Sequence, residues 1–537
     1  MMQRLHCDPP RSRGTWLAGG PIYQIYVRSF ADSDGDGVGD LAGISAHLDH
    51  CAWLGVEAIW LTPFFPSPMV DFGYDVSNYI DVDPLFGSIA DFDTLLSEAH
   101  RRNIRVVLDL VLNHSSDRHP WFLDSRSSKA SSRRDWYIWA PPKNGGEPNN
   151  WRSVTGGSAW TWDDDSGEFY LCSFLPCQPD LNWRNPDVKQ ALFDVVRFWL
   201  DRGADGFRLD MTEFILKDRL LRDDPVIDDF RLDPAKPWLT DWYGLQHVHS
   251  SNQPELHGIL RELRRLVDSY DTGKVLIGEL DLHWPVETRH RFYGDGDELH
   301  IPFNFDLIAT EFSADALRRA IEAVLEATPP GAWPNWVLGN HDVPRVASRL
   351  GEAYAIAAAC LLFTLPGTPF VYYGEELGLH DVPIPPERVQ DPWERVTPGG
   401  GRDRERTPMP WSDGVHAGFS HTEPWLPVGD NSKRNVAAQR SDGNSMLWLY
   451  RRLIDLRRSR PALVSGSLEF IETQADALVY RRTHEHHSLI AAMNFSRQPQ
   501  TVPFPDGASV LIEAGGARFE SSTARLPPGS ALIVSDR

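Results

Sequence analysis

Val56-Glu-Ala-Ile-Trp-Leu61 and Arg105-Val-Val-Leu-Asp-Leu-Val111 are short apolar runs, and between them Ile89 to Asn103 carries apolar residues at helical spacing. An apolar strand, an amphipathic helix and a second apolar strand make a parallel crossover buried on both faces. The unit recurs along the chain. Ile22-Tyr-Gln-Ile-Tyr-Val27 precedes a helical Ile44 to Leu54, and Asp205-Gly-Phe-Arg-Leu-Asp210 follows a helical Pro186 to Arg202. Lys274-Val-Leu-Ile-Gly-Glu279, Ile301 to Phe305, Trp336-Val-Leu-Gly-Asn340 and Thr368-Pro-Phe-Val-Tyr-Tyr373 bring the strands to eight, with helices at Pro254 to Tyr270 and Ala314 to Ala327. Eight such units predict an α/β fold closed into a (β/α)8 TIM barrel. An open doubly wound sheet needs a glycine-rich phosphate turn after an early strand, and none stands there.

Two excursions interrupt the pattern. Ser115 to Arg184 is rich in Trp, Pro, Gly, Asn and Ser. It is too long for a structureless loop, so a small domain is expected at residues 115–184, inserted after strand three of a barrel made by 1–114 and 185–466. Gly374 to Ser445 is the second excursion. Beyond the helical Met446 to Ser459, runs such as Ala477-Leu-Val-Tyr-Arg481 and Ala531-Leu-Ile-Val534 alternate with period two. They predict a C-terminal antiparallel β domain, a β-sandwich, over 467–537.

The 537 residues carry 53 basic and 75 acidic side chains, a net charge of −22 with His neutral. No Lys/Arg run offers the basic footprint that nucleic acid requires. The cysteines, Cys7, Cys51, Cys172, Cys177 and Cys360, form no C-x-x-C pair, as expected of reduced thiols in the cytosol. Met1 to Gly20 lacks the apolar core of a signal peptide, and Ala355 to Leu365 is too short to span a bilayer. A cytoplasmic protein, monomeric or homodimeric, with no membrane or nucleic-acid partner, is expected.

Barrel enzymes keep their chemistry at the C-terminal ends of strands. Here Asp109 and then Asn113-His114 close strand three, Arg208 and Asp210 close strand four, Glu279 closes strand five, and Asn340-His341-Asp342 close strand seven. One acid at a strand end is ordinarily a helix cap; four acids and two histidines at matching ends are not. Period two puts Arg208 and Asp210 on one face. The guanidinium is expected to hold Asp210 ionised, as a nucleophile needs, while burial raises Glu279 toward a general acid. Two carboxyls tuned apart are the chemistry of glycoside cleavage. Asp342 remains to accept sugar hydroxyls and to face positive charge on the ring.

These motifs resemble a known family. Asp109-Leu-Val-Leu-Asn-His114, Gly206-Phe-Arg-Leu-Asp210, Glu279 and Asn340-His-Asp342, with Asp71-Phe-Gly-Tyr74-Asp75 and Gly367-Thr-Pro-Phe-Val-Tyr-Tyr-Gly-Glu-Glu376, resemble in order and spacing those of the α-amylase family of glycoside hydrolases, from about Pro21 onward. Gln178-Pro-Asp-Leu-Asn182, and Arg402-Asp403 followed by Arg406-Thr-Pro-Met-Pro-Trp411, are similar to segments of its α-glucosidases and oligo-1,6-glucosidases, with Pro410 where the family usually has Gln. The resemblance implies Asp210 as nucleophile, Glu279 as general acid/base and Asp342 as transition-state stabiliser. It implies a glucose subsite of Asp71, Tyr74, His114, Arg208, His341 and Arg402, lined by Phe174. The implied activity is retaining, exo-acting hydrolysis of short α-glucosides, with transglucosylation as a side activity. The alternatives are an oligo-1,6-glucosidase and a trehalose synthase-like or sucrose-acting α-glucosyltransferase. Met211, after the nucleophile, matches neither the Val frequent in α-1,6-acting members nor the smaller residues frequent in α-1,4-acting ones. A silent binding subunit, like the transporter heavy chains of this fold, lacks parts of the triad that this chain retains.

Asp32-Ser-Asp34-Gly-Asp36-Gly-Val-Gly-Asp40 places acids at alternate positions with glycines for a sharp turn, a pattern suited to hard-oxygen coordination. Gly43 stands where an EF-hand has its closing Glu. The resemblance implies a structural Ca2+, with Mg2+ as an alternative, held by Asp32, Asp34, Asp36, Asp40 and the Val38 carbonyl.

Overall fold

The computed structural model describes residues 5, 15–233, 236, 239–270, 273–281 and 284–536. Cys7 lies outside the described residues; Cys51, Cys172, Cys177 and Cys360 are free thiols. Eight parallel strands form one sheet: β1 (Ile22–Ile25), β2 (Ala58–Leu61), β3 (Arg105–Leu110), β4 (Gly206–Leu209), β5 (Val275–Gly278), β6 (Ile301–Pro302), β7 (Asn335–Val337) and β8 (Thr368–Tyr372). They pair in the order β7-β8-β1-β2-β3-β4-β5-β6. Every strand is an apolar run because both of its faces are covered, by barrel interior and by helices.

The seam between β6 and β7 is closed by side chains. Pro302 has no N–H to give, and the Asn335 amide donates to its carbonyl at 2.7 Å. Asn304 N–H donates to Asn335 Oδ1, and Asn304 Nδ2 to the Asn335 carbonyl, each at 3.1 Å. This is why β6 ends three residues before the expected Phe305: an amide ladder replaces backbone pairing.

The helices that cover the sheet are α1 (Leu41–Leu54), α2 (Ile89–Arg101), α3 (Pro186–Arg202), α4 (Leu256–Asp268), α5 (Ala314–Ala327), α6 (Glu352–Thr364) and α7 (Met446–Ser459). Helix α1 starts earlier than its apolar spacing suggests, because Asp40 caps it through the Gly43 N–H. It stops at Gly55, whose φ of 91° only glycine adopts without strain. Helix α6 is buried around most of its circumference, from Ala355 to Thr364. It therefore lacks the one-sided stripe that marks a helix in sequence. No helix among the described residues is long and apolar enough to cross a membrane.

Between β3 and α3 the chain builds a three-stranded antiparallel sheet from Trp139–Ala140, Glu168–Leu171 and Trp160–Asp163, packed with Trp151. After α7, a five-stranded sheet (Ser467–Phe470, Leu478–His484, His487–Met493, Ala531–Ser535, Ser509–Ala514) faces a three-stranded one (Gln500–Pro503, Thr523–Leu526, Arg518–Glu520). Val479, Ile490 and Val534 of the first pack with Val502, Ala524 and Leu526 of the second in one core, a β-sandwich.

Candidate active site

Parallel pairing aligns Asp109 on β3 with Arg208 on β4, and Leu209 on β4 with Gly278 on β5. Residues one step further, Asp210 and Glu279, are tied to the neighbouring strand by Asp210 N–H to Leu110 and Glu279 N–H to Leu209. Register alone thus gathers the acids at one rim. Gly278 makes room, since a Cβ there would lie 2.3 Å from Leu299 Cδ1.

Arg208, 1% exposed, is the hub. One terminal nitrogen donates to Asp109 Oδ1 (2.7 Å) and Asp210 Oδ1 (2.8 Å), and the other donates to Glu279 Oε2. The guanidinium lies 5.2 Å from the Trp60 ring. Burial pushes the Asp210 carboxyl well above its ordinary range; Arg208 pulls it down, while Glu279, Asp109 and Asp342 add to the rise. Glu279 is raised too, again chiefly by burial against Arg208. Burial pushes Asp109 up to about 6. Arg208 thus acts on Asp210 in the expected direction, lowering it, but burial outweighs the guanidinium and the net direction is upward. One cation shared by three dehydrated carboxyls does not offset burial at any of them, so all three are shifted upward together. After Asp210 the backbone turns through Met211 at φ 34°, and the Met211 N–H donates to Glu279 Oε2 at 3.3 Å. A non-glycine residue in this region costs about 1–3 kcal/mol, which the packed surroundings must carry.

Asp342 is tuned the other way. Its Oδ1 accepts from Arg402 (2.9 Å) and Arg406 (2.8 Å). Burial works to raise it, but His341, Arg402 and Arg406 outweigh that and hold it well below the usual carboxylate range. Its side chain is 32% exposed against 9% for Asp210 and 11% for Glu279, so it presents the most open of the three acids. His341 is held neutral, near 3, by burial and the surrounding arginines. The Gln24 amide lies 2.8 Å from its Nδ1, which leaves Nε2 to carry the proton toward Tyr74 Oη at 2.7 Å. Tyr74 in turn donates to Asp109 at 3.1 Å, joining the two halves of the site.

Asp71 sits on a turn that Asp75 fastens by accepting the Val70 and Asp71 N–H groups. Gly73 there (φ 105°) touches Pro63, and a Cβ would meet the Pro63 carbonyl at 2.9 Å. Asp71 accepts from Arg402 (3.0 Å) and from Gln178 (3.1 Å). Burial pushes its carboxyl to about 6. His114 Nε2 lies 3.2 Å from Gln178 Nε2, and burial lowers the ring to about 4. The Phe174 ring stands 5.1 Å from His114. All the carbohydrate-site residues expected from sequence thus fall in one contact network. Gln178 and Asp391, the latter bonded to Arg402 at 2.9 Å, belong to it without having been singled out. Gln178 lay inside a quoted motif; nothing in the sequence marks Asp391.

The acidic loop lies apart from this network. Asp32, Asp34 and Asp40 bring one carboxylate oxygen each within 4.8 Å of one another, an all-oxygen donor set that fits a hard cation. Asp36 is not in that trio; its Oδ1 accepts the Val38 N–H at 2.7 Å.

The α-amylase catalytic-domain family model matches residues 24–466. A probable α-glucosidase of Rhizobium meliloti (strain 1021) is 43% identical over 503 residues, covering 91% of each chain. The oligo-1,6-glucosidase of Parageobacillus thermoglucosidasius is 38% identical over 532 residues, covering 91% of this chain and 92% of its own. The crystal structure of XgtA, an α-glucosyl transfer enzyme, superposes with a TM-score of 0.91 at 40% identity, over 97% of this chain and 99% of that one.

Proposed function

The chain belongs to the α-amylase family and is a glycoside hydrolase, and from that premise we propose a retaining, exo-acting α-glucosidase that releases glucose from short α-glucosides. The observation that carries this reading is the Arg208 fork, which bonds Asp210 and Glu279 at once. Retaining enzymes set their two carboxyls about 5–5.5 Å apart, and one shared guanidinium favours that spacing over the wider gap that inversion needs.

Asp210 attacks the anomeric carbon and forms a β-glucosyl ester while Glu279 gives its proton to the departing glycosidic oxygen. Water then attacks with Glu279 as base, restoring the α configuration. Burial of Glu279 favours the protonated form that a general acid needs, and Asp342, held low by its cationic neighbours, faces the charge that develops on the ring. The Asp71–Arg402 pair and His114 line the glucose subsite. When a sugar hydroxyl replaces water, glucose is transferred; the likeness to an α-glucosyl transfer enzyme favours this as a side reaction.

The test is direct. Proton NMR of the first minutes of turnover should show α-glucose first, and chromatography on maltose, isomaltose, trehalose and sucrose should rank the linkages. A β-anomer formed first would overturn the retaining mechanism. D210A and E279Q should each lose nearly all turnover of p-nitrophenyl α-glucoside with the circular-dichroism spectrum unchanged.

The same reading gives the acidic loop a structural Ca2+, with Asp32, Asp34 and Asp40 as its carboxylates and Mg2+ as the alternative ion. The ion would pin the start of α1, which Asp40 caps. Differential scanning calorimetry after EDTA should show a lower melting temperature that Ca2+ restores; equal melting with and without Ca2+ would remove the ion from the proposal.

A further inference from the structure

Lys217 is a buried cation that no step of the mechanism uses. It follows the turn after β4 and is 3% exposed. Its Nζ donates to Asn113 Oδ1 at 2.5 Å and pairs with Asp180 Oδ2. Asp180, fully buried, accepts from Asn113 Nδ2 (3.2 Å), from the Ser173 N–H (3.0 Å) and from the Ser173 hydroxyl (2.5 Å). The Lys217 carbonyl accepts from Arg184 at 2.9 Å, where the inserted segment returns to the barrel.

Each partner is a sequence neighbour of a residue in the glucose subsite. Asn113 precedes His114, Ser173 precedes Phe174, and Asp180 follows Gln178 by two positions. The backbones of His114 and Asp180 pair in an isolated bridge, and the Leu181 N–H donates to the Asn113 carbonyl at 2.9 Å. From Gln178 the contacts continue to Asp71, to Arg402 and to Asp342. The catalytic fork of Arg208, Asp210 and Glu279 shares no bond with Lys217.

We propose that Lys217 is a positioning residue that clamps the inserted segment to the end of β3 and so sets the shape of the glucose subsite. The proposal rests on the glucosidase reading of that pocket. A buried ammonium suits the place, because it supplies several donors and balances the one carboxylate, Asp180, on which the segment's own bonds converge. An apolar residue there would strand Asp180 as an unpaired buried charge.

The experiment compares the wild type with K217M and with K217M/D180N, measuring kcat, KM for p-nitrophenyl α-glucoside, inhibition by glucose and thermal melting. Wild-type turnover tests the glucosidase reading by itself: without it, that reading fails whatever the variants do. Given turnover, a pocket held by Lys217 should raise KM and the glucose inhibition constant together by about tenfold, with kcat within about threefold, since small misplacement of binding groups is costly. The double variant removes the stranded charge. It should regain melting temperature while KM stays high. Two results would overturn the clamp: KM unchanged in a folded K217M, or KM recovering together with stability in the double variant, which would make Lys217 a charge balance only.

Discussion

Arg208 and Arg457 are both fully buried guanidiniums, and they are satisfied in opposite ways. Arg208, at the rim of the barrel, is surrounded by carboxyls: Asp109, Asp210 and Glu279. Arg457, on α7, bonds carbonyl oxygens at the end of α6 and beyond it: Phe363 at 3.1 Å, Leu365 at 2.8 Å, and Gly367. Arg482 of the C-terminal sheet joins it, donating to the Thr364 and Gly466 carbonyls. Burial works against the charge of both arginines. At Arg208 the acids more than restore it; at Arg457 burial prevails and its pKa is lowered. The helix-end carbonyls nevertheless give Arg457 bonds and a favourable dipole. The contrast concerns what each arrangement can do. Carboxyls gain and lose protons, so a cation among them makes a reactive and pH-sensitive site. Carbonyls do not titrate, so a cation among them ties α7 to the end of α6 and the loop beyond it and nothing more.

The strongest way to break this contrast is R208M. Activity should fall by about 10³-fold or more, since the fork orienting nucleophile and acid is gone. Stability should also become more pH-dependent. Asp109, Asp210 and Glu279 already have raised folded-state pKa values, so the folded form holds more protons than the unfolded one and loses stability as pH rises, through about 6 for Asp109. Asp342, whose value is depressed, contributes in the opposite sense: its stabilisation is present at neutral pH and fades on acidification. Without the guanidinium the raised set rises further. R208M should therefore melt markedly lower at pH 8 than at pH 5, with a gap wider than in the wild type. A gap no wider would mean that Arg208 does not govern the cluster's protonation.

R457M comes next. It should cost roughly 3 kcal/mol or more in denaturant unfolding, because several charge-assisted bonds to buried carbonyls are lost together. Turnover per folded molecule should stay within about twofold, as independent distant sites do. A parallel collapse of kcat would show that the packing of α6 against α7 communicates with the rim, and the two arginines would not be separable in function.

How far the sequence carried follows from the same distinction. The eight strands and the acids that close them were legible, because apolar runs on both faces and polar residues at their ends are local patterns, and parallel register converts them into one site. The ends of Asp205–Asp210 and Lys274–Glu279 led straight to the Arg208 cluster. The protonation of that cluster was not legible: a pairing of Arg208 with Asp210 can be read at period two, but the competing claims of Asp109 and Glu279 arise only when three strands meet. Lys217 was hidden because its partners lie 104 residues away at Asn113 and on the return of the inserted segment at Asp180. Helix α6 was legible only as the apolar run Ala355 to Leu365, because a helix buried nearly all round shows no one-sided stripe. Its end is also where Arg457 binds, so the same blind spot concealed that contact.

The finest probe is Y480F, at the same helix end. The Tyr480 and Thr364 hydroxyls lie 2.5 Å apart, and Thr364 Oγ1 also donates to the Cys360 carbonyl at 2.6 Å. Deleting the phenol hydroxyl leaves Thr364 with its carbonyl partner, so no buried donor is stranded and the cost should be about 1 kcal/mol. Activity should not change. The informative quantity is the coupling with R457M. If the arginine holds the end of α6 as a unit, that end is already loosened in R457M, and adding Y480F should cost less than it does alone, by about 0.5 kcal/mol or more. Strict additivity would mean that the two residues act on separate parts of the junction. Arg457 would then stabilise only the loop through Leu365 and Gly367, and its role as a cap of α6 would be lost.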